Sequence, residues 1–341
     1  MLGDGDAIRS ASVRALIGKI SVNVQEFETA KRYLKTSWKT LKPLKSKPDN
    51  IFCSVFTLNQ LGLLFSSVER VEKTLKYLNQ AEALYEEWKV EGVKFTSLGE
   101  IFGCDPDDGS AELEEEHTLT LYYMAQAWRL ASCPVLATRY CHRTLARQLQ
   151  IIDSQNKIEW ALNAATLSQV FLEHYMFSEA CHHLCAASYV LDLRRAELDA
   201  DHSEREQHEA DLEEYNHRKG DIALCWLKYD IMLLTVSRDR LVQENEDAKN
   251  FCQYPDEIVG LMFPNLDLDK YKKGVRVNFV LTYEDARPLF LHGQECANRG
   301  KQYYTLNEHA SDYIRIQQDL SQLYVGLQFF EDDESRFVEI L

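Results

Sequence analysis

Turn-forming residues are scarce in this chain. Its 341 residues include only 14 glycines and seven prolines, about half the share of roughly 12% usual in globular proteins. So few breaks imply long elements, which excludes collagen-like and low-complexity chains and argues against a many-turned β-sandwich. Long apolar runs are also missing, and nowhere do the roughly 18 consecutive apolar residues of a membrane span occur. The first 16 residues mix Gly, Asp, Ser and Arg, with no apolar stretch of signal-peptide length. No CxxC pair is present; nine cysteines lie scattered, the pattern of reduced, partly buried thiols in a cytoplasmic protein. Positive charge is in deficit, with 38 Lys and Arg against 54 Asp and Glu and a formal net charge of −16. That balance suits a basic partner and is a poor match for nucleic acid or an anionic membrane.

What is present reads as amphipathic helix. Phe27, Ala30, Tyr33 and Leu34 recur at i, i+3, i+6 and i+7, which places them on one helical face. The same spacing returns over 52–64, 71–88, 117–130, 135–152, 159–174, 177–193, 215–236, 283–299 and 311–330. No convincing alternating strand interrupts it, so the fold class is all-α. Two breaks are acidic: residues 105–116 carry seven carboxylates, and residues 197–214 carry nine. Both lack the apolar surface that would offset the entropy of ordering them, and both are expected to be mobile loops. The expected organisation is an N-terminal segment 1–22, partly ordered, then a helical array 23–195 containing an acidic loop at 104–116. A second acidic loop, 196–214, precedes further helices over 215–341, with an irregular loop at 243–277 held by a few apolar anchors.

Three segments share one internal frame. Gly62, Ala125 and Ser168 each follow a large apolar residue, with Phe65, Trp128 and Phe171 three positions later. Small or short residues stand twelve later (Thr74, Ala137, Ala180) and nineteen later (Ala81, Thr144, Ala187), and Leu78, Cys141 and Leu184 sixteen later. This is the tetratricopeptide pattern. Small residues sit where two antiparallel helices cross closely, and the aromatic fills the groove to the next pair. Stacked pairs bury one continuous core and leave a concave groove lined by the first helix of each pair. By the frame, Gln60 and Leu63, Tyr123 and Gln126, and Thr166 and Gln169 point into that groove, joined by Arg147 and Gln148 on the second-helix side. Uncharged hydrogen-bonding groups at i, i+3 suit the docking of a partner helix.

Catalytic and metal-binding readings fare worse. Cys181, His182, His183 and Cys185 contain ligand-type side chains, but on one helix the two cysteines share a face while the histidines point elsewhere. They cannot converge on one tetrahedral ion, and packed thiols beside solvated imidazoles are expected instead. A metal-dependent enzyme built on Cys181 and His183 is therefore the weakest of three functional readings. The stretch 104–116 resembles a calcium loop, yet Cys104 and Pro106 would occupy ligand positions that need hard oxygens. No GxSxG, HExxH, GxGxxG or P-loop sequence occurs, so no enzyme activity and no cofactor are expected.

Longer motifs narrow the reading. LYYMAQ at 121–126 is followed by RYCH at 139–142, RQL at 147–149 and IEWALNAATLSQ at 158–169. LNQAEALY at 78–85, HRKG at 217–220, CWLKY at 225–229, EDAR at 284–287 and LFLHGQ at 289–294 extend the series. Together, over about residues 26–330, these strongly resemble the kinesin-binding protein (KIF-binding protein) family. The resemblance implies a non-enzymatic, tetratricopeptide-like right-handed superhelix of antiparallel helix pairs that takes the microtubule-binding helix of kinesin motor domains into its concave face. It also implies roles in microtubule organisation, axon growth and mitochondrial transport, and a cytoplasmic, cytoskeleton-associated location. By matching position, the motor-contacting residues are Tyr123, Gln126, Gln148, Thr166 and Gln169. No nucleic-acid, membrane-inserted or small-molecule partner is implied. Family members continue into a further helical array, so the apolar end at 337–341 reads as an unfinished repeat edge. A generic repeat scaffold or chaperone adaptor is the alternative. Adaptors that capture a C-terminal carboxylate need convergent Lys, Arg and Asn, whereas the groove positions here hold Gln, Tyr and Thr.

Overall fold

A computed structural model describes residues 4–45, 47–91, 97–103, 109–151, 156–200, 205–242 and 255–331. Among them the chain is helical, with no strand. It divides into two units, Met1–Arg147 and Gln148–Leu341.

The first unit contains α1 (Asp4–Asn23), α2 (Phe27–Leu41), α3 (Ile51–Ser67), α4 (Val71–Glu91), α5 (Leu98–Phe102), α6 (Gly109–Leu130) and most of α7 (Pro134–Ile151). α1 packs on α2 and α3 on α4, and α6 lies against both α3 and α4. The core of the unit is the buried set around α3, whose residues from Ile51 through Gly62 are all buried. α7 is tied back by polar contacts: Tyr140 and Arg143 bond to Glu82, and Arg147 to Glu114 and Tyr85.

Helix pairs close in one repeated way. Gln25, Glu69, Ser132 and Tyr175 have left-handed backbone, with φ of 63°, 54°, 57° and 58°. Each stands seven residues after Gly18, Gly62, Ala125 and Ser168 respectively. The next amide reaches back to the carbonyl five residues earlier: Glu26 to Ser21, Arg70 to Phe65, Cys133 to Trp128 and Met176 to Phe171, at 2.8–3.0 Å. This 6→1 bond with a left-handed residue is the Schellman closure. The frame read from three segments therefore has a fourth instance in α1–α2. It was hidden because Ser21 stands where the others have an aromatic. The N-terminal segment 1–22, expected to be only partly ordered, is helical from Asp4 onward.

The second unit holds α8 (Lys157–Glu173), α9 (Phe177–Ala200), α10 (Arg205–Val242), α11 (Asp269–Lys272), α12 (Tyr283–Tyr303) and α13 (Ala310–Gln328). α8 pairs with α9; α10 packs on α8, α9, α12 and α13. At 38 residues, α10 is about 57 Å long. The stretch from 255 to 280 is irregular apart from α11, and Ile258, Phe263, Leu268 and Val280 anchor it by burial. Tyr229 donates to the Arg276 carbonyl at 2.7 Å, and the Val280 amide donates to Ser237 at 3.0 Å.

The acidic breaks are shorter than their charge suggests. α6 begins at Gly109 and α9 runs on to Ala200, with α10 starting at Arg205; the rest, 104–108 and 201–204, lies outside the described residues, as do 243–254 and 337–341. Carboxylates in a first helical turn complement the helix dipole, so an acid run there marks a helix start as readily as a loop. Leu113, Glu116 and His117 at i, i+3 and i+4 are buried and give α6 its inner face.

Candidate partner-binding site

α6 sets Tyr123 and Gln126 one turn apart, and α3 sets Leu63 and Ser66 opposite them. With Tyr122, Arg129 and Leu130 they line a cleft of about 300 Å³ floored by Gly62 and Thr74. Three of the groove residues expected from the frame, Leu63, Tyr123 and Gln126, thus meet in the first unit. Tyr123 is half-buried, and burial raises its phenol above the usual value, with Glu116 and Tyr122 adding to the rise. It stays a neutral hydrogen-bonding group at pH 7. Its ring meets that of Tyr122 edge-on at 5.7 Å. Arg129 donates to Gln126 Oε1 at 2.7 Å.

Gln60 departs from expectation. It is buried, and its Oε1 finds no hydrogen-bond partner among the described residues. The same frame position on α6 holds Tyr123, which lines the cleft. Tyr122, Arg129 and Leu130 were not expected in the site. Their spacing with Gln126, at i, i+4, i+7 and i+8 from Tyr122, is one helical face and was a usable signal.

In the second unit, α8 carries Thr166 and Gln169 on one face. Thr166 is exposed and its hydroxyl donates to the Leu162 carbonyl at 2.8 Å, while Gln169 donates to Ser168 Oγ at 2.9 Å. Gln148 is exposed in the last turn of α7.

The Cys181–Cys185 face is as expected, with sulfurs 3.9 Å apart. The imidazoles are not solvated. His182 and His183 are both buried, because the 255–280 stretch folds over them. His182 Nε2 accepts the Phe263 amide at 2.8 Å, and the Phe263 ring lies 5.0 Å from that of His183. A different trio, Asp230, His292 and Cys296, has the donor types and closeness of a metal site. Its groups bond to one another and to a cation already present: His292 Nδ1 meets Asp230 Oδ2 at 2.8 Å, and the Arg299 guanidinium donates to the Cys296 sulfur at 3.0 Å, while Asp230 Oδ1 has no hydrogen-bond partner among the described residues. A cation there would face that guanidinium, so the trio acts as a buried ionic clasp between α10 and α12.

A family model described as KIF-1 binding protein C terminal matches residues 158–341. The chain belongs to this family. It is 32% identical over 337 residues to the KIF-binding protein of Drosophila melanogaster, an alignment covering 93% of this chain and 55% of that protein. The Gallus gallus and Homo sapiens KIF-binding proteins are each 30% identical across 97% of this chain and 59% and 57% of their own lengths. The chain thus spans a little over half the length of the curated relatives it matches. Of the residues expected to contact a partner, Thr166 and Gln169 fall within the matched region, and Tyr123, Gln126 and Gln148 precede it. No described helix is long and apolar enough to cross a membrane.

Proposed function

We propose that this chain is a non-enzymatic regulator that binds kinesin motor domains and controls their attachment to microtubules. The cleft in which Leu63, Tyr123 and Gln126 converge carries the reading, together with the names of the relatives. A rim of phenol and amide beside Leu63 and Leu130, with the Arg129 guanidinium bonded to Gln126, fits an amphipathic helix: apolar side chains enter and flanking polar groups are bonded. The helix pairs build a tetratricopeptide-like right-handed superhelix whose concave face receives the motor's microtubule-binding helix. Tyr123, Gln126, Gln148, Thr166 and Gln169 are its contact residues. A motor surface that docks on acidic tubulin is basic, and a net charge of −16 speeds its encounter with this chain. Screening beyond about 8–10 Å at physiological salt keeps that term mainly kinetic. Roles in microtubule organisation, axon growth and mitochondrial transport, at a cytoplasmic and cytoskeletal location, follow from this activity.

Microtubule co-sedimentation of a kinesin motor domain with the purified chain tests the proposal. The chain should move motor from pellet to supernatant, and Tyr123→Ala with Gln126→Ala should reduce the effect by roughly tenfold or more in concentration. A motor that stays on microtubules at saturating chain, across several kinesin classes, refutes it.

A further inference from the structure

In a chain whose formal net charge is −16, residues 29–48 hold seven Lys and Arg and no acid. Ala30, Leu34, Ser37 and Leu41 form the buried side of α2. At 3.6 residues per turn, Lys31, Arg32, Lys35, Lys39 and Lys42 fall within one arc of about 100° on the other side. Arg32, Lys35, Lys39 and Lys42 are exposed, and Lys31 is half-buried. Lys31 pairs with Glu28 at 2.9 Å. Among the described residues no ion pair engages Arg32, Lys35, Lys39, Lys42 or Lys45.

The basic row continues onto α4. Lys35 and Lys73 both lie over the Phe65 ring, at 6.0 and 5.3 Å from its centroid. Two ammonium groups thus approach one ring, and no described carboxylate is paired with either. The dipole of α2 favours cations at Lys39 and Lys42 near its C-terminal end, but it gives no reason for Arg32 and Lys35. Like charges at i and i+4, as at Lys31, Lys35 and Lys39, destabilise a helix. An anion laid along the row would relieve that repulsion.

The surroundings narrow the partner. From position 25 through 67 no described large apolar side chain is exposed. An amphipathic helix would find nothing to bury its apolar face against, and a bilayer would receive no inserted side chain. A nucleic acid carries a charge on every nucleotide, and the acidic remainder of the chain would repel it. Lysines one turn apart are spaced about 6 Å along α2, and alternate residues of an extended chain are spaced about 6.6 Å. We propose that the outer face of α2 binds an extended, glutamate-rich segment of a partner protein, held by Arg32, Lys35, Lys39 and Lys42. Such a segment is opposite in charge to a basic motor surface, so this face and the cleft of Leu63, Tyr123 and Gln126 take different partners.

The test uses the full chain and two short fluorescent peptides, one alternating Glu with Ser and one alternating Lys with Ser. The Glu peptide should bind and the Lys peptide should not, with affinity falling as salt rises. Lys35→Glu combined with Lys39→Glu should weaken binding about tenfold or more. The melting temperature should not fall, since both side chains are exposed. Lys273→Glu combined with Lys301→Glu, in the second unit, alters the net charge equally and should change binding by less than about twofold. Binding of neither peptide, equal binding of both, or equal losses from the two double variants overturns the proposal. So does tighter binding of single-stranded DNA, or capture by phosphatidylserine vesicles, when Lys35→Glu with Lys39→Glu abolishes it, since the face would then serve a nucleic acid or a lipid surface.

Discussion

Gly62 lies so close to Leu78 that a Cβ at Gly62 would fall 2.6 Å from a Leu78 methyl carbon. The same approach recurs sixteen residues apart between Gly18 and Leu34, at 2.5 Å. These two helix crossings are therefore set by the absence of a side chain on one partner and a branched apolar side chain on the other.

Gly62→Ala should cost about 1–3 kcal/mol by overpacking, and Leu78→Ala about 2–5 kcal/mol through the cavity it leaves. Because the new methyl occupies space vacated by Leu78, the double variant should lose clearly less than the two losses added. Urea midpoints of the four proteins check this; strict additivity would show that the contact does not govern the crossing.

Glu69 holds a left-handed backbone at the turn joining α3 to α4, a conformation costing a side-chain-bearing residue about 1 kcal/mol. Glu69→Gly should raise stability by up to about that amount, with Glu69→Ala giving no gain. Thermal melts of the two variants separate relief of the backbone from loss of the carboxylate.

His117 is buried, stacked on Tyr85 with ring centroids 3.5 Å apart, and neither ring nitrogen has a hydrogen-bond partner among the described residues. Burial first, then the charges of Arg143 and Lys89, lowers its pKa to about 3. The folded state thus favours the neutral ring. Its contribution is complete above the unfolded value near 6.5 and falls as pH drops from there toward 3, by about 2 kcal/mol at pH 5. His117→Phe should remove that part of the acid sensitivity. Denaturation at pH 7 and pH 5 should show a smaller difference for the variant than for the parent.

Asp230 is fully buried, and burial raises its pKa to about 6 although His292 opposes the rise. For His292, burial lowers the pKa, but the hydrogen bonds it makes to the Asp230 carboxylate and the Cys296 sulfur outweigh that, lifting the value to about 10. The pair is ionised at pH 7. Removing one member, as in Asp230→Asn, should cost roughly 3–5 kcal/mol by stranding the other; replacing both with Leu should cost far less. The histidine's share is complete below pH 6.5 and is lost as pH rises toward 10. Denaturation of single and double variants at pH 7 and pH 9.5 measures both effects.

The helices and three of the four repeated turns were legible because their signals are local. Small residues sixteen positions before Leu78, Cys141 and Leu184 recur in register, and an aromatic follows each. The acid runs at 109–116 and 205–214 misled for a local reason as well, since a carboxylate-rich first turn and a solvated loop have the same composition. In the site, Tyr123 and Gln126 were legible from their i, i+3 spacing. Gln60 was not, because whether that position opens onto a cleft or onto a neighbouring pair depends on what packs there.

Periodicity along the chain alone determined that this protein is all-helical and built from close-crossing pairs, because each crossing is encoded within about twenty consecutive residues. Tertiary structure alone decided that His182 and His183 are buried and that Asp230 meets His292 across 62 positions. Those outcomes depend on which distant segment arrives at a surface, and burial energy is a property of the two surfaces together.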